Sequence, residues 1–110
     1  MHARLSRFAG LDPERIDATV RQFEEEALPQ LEEQEGFRGI TVGVNHRAGQ
    51  AVAIAFWETE ADMRESEKLA AEAREQAVTT AGPQRTPVVD NYDVVLHRPV
   101  ASGSPSASQS

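Results

Sequence analysis

The 110-residue sequence contains no cysteine. That removes disulfides, thiolate nucleophiles and cysteine-held zinc or iron–sulfur clusters. Long hydrophobic runs are also missing. The longest, Ala51 to Trp57, is far short of the ~20 residues a membrane-spanning helix needs, so no membrane partner is expected. Met1 to Gly10 shows no apolar core of a secretory signal, and the expected location is the cytoplasm. Positive charge is scarce: 11 basic residues stand against 18 acidic ones, for a net charge of −7. Such a surface repels phosphate backbones, and no nucleic-acid partner is expected. Aromatics are few as well, with one Trp, one Tyr and four Phe. No phosphate loop, dinucleotide fingerprint or Ser–His–Asp arrangement occurs.

What is present alternates between strand and helix patterns. His2 to Phe8 alternates as a strand and is broken at Gly10. Asp12 is placed to cap a first helix, with Pro13 at its first position. Ile16, Val20, Phe23, Ala27 and Leu31 then recur at helical spacing, while Arg21, Glu24, Glu25 and Glu32 solvate the far side. Pro29 lies inside this stripe and predicts a kink near Glu25 and Glu26. Gly36 ends the helix. Phe37 to His46 reads as a second strand, with Gly39 and Gly43 marking a bulge or a close approach. Arg47 to Gln50 is a hairpin connection into a third strand, Ala51 to Thr59. Thr59 caps a second helix whose inward stripe is Met63, Ser66, Ala70, Ala73 and Ala77, closed by Gly82-Pro83. Pro87 to His97 is the last strand. Residues 1–98 thus form one domain, and the Ser/Ala/Gly/Pro-rich stretch 99–110 is expected to be a disordered tail.

The order βαββαβ is that of an α+β, ferredoxin-like domain with a four-stranded antiparallel sheet. Right-handed crossovers put both helices on one face. The strands carry apolar side chains toward the other face too, and exposed apolar surface costs ~25 cal/mol per Å². A second copy packed face to face is therefore expected, giving a homodimer.

Asp12-Pro13-Glu14-Arg15-Ile16, Leu28-Pro29, Gly36-Phe37-Arg38-Gly39 and Phe56-Trp57-Glu58-Thr59 together resemble the antibiotic-biosynthesis-monooxygenase family. The resemblance runs from His2 to about His97 and is carried by structural motifs. It implies a dimeric α/β barrel and a small cofactor-independent monooxygenase-like oxidoreductase acting on an aromatic or quinol-like molecule. The alternative is a non-catalytic ligand-binding or stress-response protein on the same barrel. The haem-opening members of that family use an asparagine in strand one and a tryptophan and histidine on helix two. Here strand one offers Arg4 and Ser6, and the helix positions fall near Ser66 and Gln76, which do not ligate iron as imidazole does. Neither haem nor any other cofactor is expected.

Several residues are candidates for a site, each with a structural reading beside it. Small side chains on helix two face Ala51, Ala53 and Ala55 of strand three, which means either close packing or a cavity. If a cavity exists, its candidate ligand-binding walls are Arg4, Ser6, Phe23, Trp57 and Tyr92, with Phe8 beside them. Arg4 would steady a phenolate or carboxylate, or sit exposed at an edge. Trp57 is a stacking wall, or a core aromatic with its indole N–H bonded at the strand end. Asp93 is a base, or a solvated carboxylate like Asp90. With strands one and three taken as parallel, His2, His46 and His97 share one end of the sheet. His46 then lies two strands from His2, roughly 10 Å away at ~4.8 Å per strand. Metal–nitrogen bonds of ~2 Å do not span that distance, and no metal site is expected.

Overall fold

In a computed structural model of the chain, residues 1–82 and 86–100 are described. Four strands form one sheet in the order β2-β3-β1-β4: β1 is His2–Phe8, β2 Phe37–Asn45, β3 Gln50–Trp57 and β4 Val88–Asp93. Every neighbouring pair is antiparallel, as in a ferredoxin-like α+β domain. Pro83 and the expected tail from 101 onward lie outside the described residues.

The antiparallel β1–β3 pair corrects the expectation that those strands run parallel. A strand between two others must oppose both, so β1 and β2 share a direction. His46, just past β2, therefore lies at the opposite end of the sheet from His2. There it is paired with Asp17 at 2.7 Å, while His2 meets Asp93 at 3.2 Å. Among the described residues, no cluster of three or more His, Asp or Glu is placed to hold a metal ion.

The first helical segment begins later than the cap at Asp12 implies. Asp12 Oδ1 accepts from the Glu14 N–H at 3.0 Å, so the carboxylate closes a local turn instead of capping a helix. The Asp12 N–H donates to the Ala81 carbonyl, which pins this turn to the end of a later helix. Helix α1 runs Ile16–Gln22, a π-helical turn covers Phe23–Ala27, and α2 covers Leu28–Glu32. The π turn falls where Pro29 predicts a kink. Proline's ring crowds the carbonyl four residues back, and the ladder widens to a five-residue step from the Leu28 N–H to the Phe23 carbonyl. Along the stripe, Ile16, Ala27 and Leu31 are buried, and Val20 and Phe23 are half-buried.

After β3, the Thr59 hydroxyl accepts from the Asp62 N–H at 3.0 Å and caps α3, Glu60–Glu65. Helix α4, Glu67–Ala81, follows after a break at Ser66 and ends at Gly82 in the left-handed conformation. In β2 the pairing slips between Phe37 and Gly39. Arg38 is the extra residue of a bulge that Gly39 permits with a φ of +136°.

The register divides the sheet into two faces. Arg4, Ser6 and Phe8 share one with Val42, Ala53 and Ala55, toward the helices. Leu5, Val52, Ile54, Phe56, Val88 and Tyr92 share the other. No helix among the described residues lies on that second face, and Val88 and Tyr92 are 52% and 50% exposed. None of the helices among the described residues is long and apolar enough to cross a membrane.

Candidate functional site

Short side chains on both layers leave space between them. Ala51, Ala53 and Ala55 from β3 face Ala70, Ala73 and Ala77 from α4 across a cavity of about 110 Å³. Ile16, Val20, Phe23 and Leu31 close it from the first helical segment, and Ile40 and Val42 from β2. Its walls are almost wholly apolar. An apolar cavity of ~150 Å³ holds one benzene molecule, so this space is on the scale of a single small ring.

Polarity enters at Arg4, Ser6, Thr19 and Arg74. The Arg4 side chain is only 4% exposed, against the usual preference of arginine for the surface. What holds it there is the break between α3 and α4. The Met63 carbonyl accepts from Arg4 Nη2 at 2.5 Å, and the Ser66 hydroxyl from Arg4 Nη1 at 3.3 Å. The Ser66 hydroxyl in turn donates to the Met63 carbonyl. Glu67, the first residue of α4, brings Oε1 to 3.1 Å from Arg4 Nε and Oε2 to 2.7 Å from Arg74 Nη2. The first contact is an ion pair out of line with the N–H, so the Nε–H has a counter-charge but no aligned acceptor among the described residues. Burial pushes the Arg4 guanidinium below its ordinary pKa; Glu67 opposes that and Arg74 adds to it. Two guanidiniums and one carboxylate leave this end of the cavity with one net positive charge, on a chain of net charge −7.

Of the residues singled out from sequence, Arg4, Ser6 and Phe23 line the cavity, as does Phe8. Trp57 does not. It is fully buried beside the cavity, edge-on to Phe37 at 5.2 Å between ring centroids. The Arg4 guanidinium lies 6.0 Å from its ring centre. The indole N–H expected to be bonded at the strand end has no partner among the described residues. The structure does not bring Tyr92 to this cavity. It pairs with Ala3, which puts it on the helix-free face. At the surface Asp93 lies against the His2 ring and Asp90 forms an ion pair with Arg7. Sequence reasoning missed Arg74 and Glu67. Their signal was spacing: Arg74 lies four residues from Ala70 and seven from Glu67, on the same side of α4.

No protein-family model matches the chain. Over 88 residues it is 31% identical to an uncharacterized protein, Rv2558, of Mycobacterium tuberculosis. The match covers 78% of this chain but only 36% of that protein, so the chain spans about a third of the curated relative's length. Among solved structures, it is similar to the monooxygenase ActVA-Orf6 of Streptomyces coelicolor in complex with nanaomycin D. The TM-score is 0.74 at 18% identity, over 91% of this chain and 92% of that one. A structure named antibiotic biosynthesis monooxygenase matches with a TM-score of 0.61 at 18% identity, over 87% of this chain and all of the other. Rv0793 of Mycobacterium tuberculosis matches with a TM-score of 0.66 at 15% identity, over 87% and 96%. The chain has the fold of the antibiotic biosynthesis monooxygenases.

Proposed function

We propose that this chain is a small cofactor-independent monooxygenase-like oxidoreductase whose substrate is a single aromatic or quinol-like ring held between helices and sheet. The observation that carries this reading is the apolar cavity of about 110 Å³ with buried Arg4 on its wall. In cofactor-independent oxygenation the deprotonated substrate itself gives an electron to dioxygen. The protein's work is then to bind the ring, favour its anion and keep water away. A cationic wall in an apolar space favours the anion more strongly than it would in water. The fold shared with ActVA-Orf6, a monooxygenase whose structure contains nanaomycin D, points the same way.

The same proposal includes a homodimer. Leu5, Val52, Ile54, Phe56, Val88 and Tyr92, with the Arg7–Asp90 ion pair among them, form a mostly apolar face that no helix among the described residues covers, and Val95 and Leu96 beyond β4 are 91% and 76% exposed. A second copy laid on this face hides both at no cost in new sequence.

A second reading has an observation in its favour. The cavity lining among the described residues holds two arginines but no carboxylate, imidazole or phenol to take a proton. A protein that holds a ring without transforming it needs none. Oxygen uptake decides between the two. A panel of single-ring quinols and phenols is offered to the wild type and to Ala53→Leu, which fills the cavity. Uptake by the wild type that Ala53→Leu abolishes supports the oxygenase. Binding without uptake for every compound refutes it in favour of the holder.

A further inference from the structure

Glu67 occupies an unusual place. Its two carboxylate oxygens are divided between two arginines that line the cavity, Oε1 toward Arg4 and Oε2 toward Arg74. The three groups differ in how easily they can leave. Arg4 is 4% exposed and is held by the Met63 carbonyl and the Ser66 hydroxyl, so it stays. Arg74 hydrogen-bonds only Glu67 among the described residues, through Nη2, which leaves its Nε and Nη1 donors uncommitted. Glu67 is half exposed and can rotate into water, where a carboxylate is well solvated.

We propose that Glu67 is an internal stand-in for a ligand carboxylate: the cavity takes a small aromatic acid, whose carboxylate displaces that of Glu67 from between Arg4 and Arg74. This rests on the reading of the cavity as the ligand site and adds the chemical class of the ligand. A carboxylate fits better than a phenolate, because the present bridge uses two oxygens, one per guanidinium. A phenolate has only one. The ring then lies against Ala53, Ala73 and Ala77, and its carboxylate meets the two guanidiniums that Glu67 has left. Glu67 is left facing solvent and raises the threshold for binding, so weakly charged or neutral rings do not displace it. The device is specificity by competition: the protein's own anion keeps the two arginines from a group that carries no charge, and a neutral ring gains only the apolar walls.

The test is calorimetric titration with benzoate and with benzamide, its neutral counterpart of nearly equal shape, against wild type, Glu67→Gln and Arg74→Gln. Both substitutions are at positions outside the fully buried core, so the fold should survive, and circular dichroism checks it. The wild type should prefer benzoate by about tenfold, the scale of one charge-assisted hydrogen bond. Glu67→Gln should tighten benzoate several-fold and leave benzamide unchanged. Arg74→Gln should erase the preference. Equal affinity for the two rings in wild type, or an equal effect of Glu67→Gln on both, overturns the stand-in role while leaving the cavity as a ring site. If neither ring binds, both the stand-in role and the cavity as a ring site are overturned. Absence of oxygen uptake bears on the oxygenase reading alone.

Discussion

Trp57 is the largest fully buried side chain among the described residues. The structure buries it completely, with 0% exposure and its indole N–H unpartnered among the described residues. An unpaired buried donor costs on the order of 1–3 kcal/mol. Trp57→Ala removes that donor but should still destabilise by ~3–5 kcal/mol through the cavity it leaves. Trp57→Phe should cost far less, because it keeps most of the ring and removes the orphan donor. Urea midpoints of the two variants check this, and similar losses for both contradict it. Arg4 was legible as a candidate but not as a buried one. Arginine is so seldom buried that only the Ser66 break, invisible in a stripe that reads as one helix, explains where it sits.

At the level of elements, sequence pattern carried most of the architecture. The 3.6-residue stripe from Ile16 to Leu31 and the effect of Pro29 both appear, the latter as a π turn. Thr59 caps α3 as its spacing suggested. The βαββαβ order carried the antiparallel sheet, while the reading of strands one and three as parallel did not hold, since periodicity says which residues share a face and nothing of which way a strand runs. Asp12 misled because its side chain bonds two residues ahead, a choice between turn and cap that composition does not make. The facing alanines left close packing and a cavity open, because volume depends on the distance between layers. Adding side-chain volume separates the two. In a filled core, Ala73→Leu would cost ~1–3 kcal/mol by overpacking. Here it should change stability by under ~1 kcal/mol and abolish binding of a ring. Thermal unfolding with and without benzoate reads both effects, and a large loss of stability would mean there is no space to fill.

For the whole molecule, a sheet mostly apolar on two sides, with the helices among the described residues on only one, sets the terms. The uncovered face is the reason for the proposed dimer, and its centre is Ile54, flanked by Leu5 and Thr41. Ile54→Glu places a charge there without touching the cavity. It should turn a sedimenting dimer into a monomer with unchanged circular dichroism. A wild type that sediments as a monomer at micromolar concentration removes the dimer from the account.

The central claim is that the space between helices and sheet receives a ring. Alanine-methyl NMR tests it most directly, because seven of the cavity's walls are alanines and others lie elsewhere. Titration with benzoate should shift the methyls of Ala53, Ala73 and Ala77 and leave those of Ala61 and Ala71 in place. Saturating shifts at Ala61 and Ala71 with none at the cavity alanines, or no shifts at all, would contradict it.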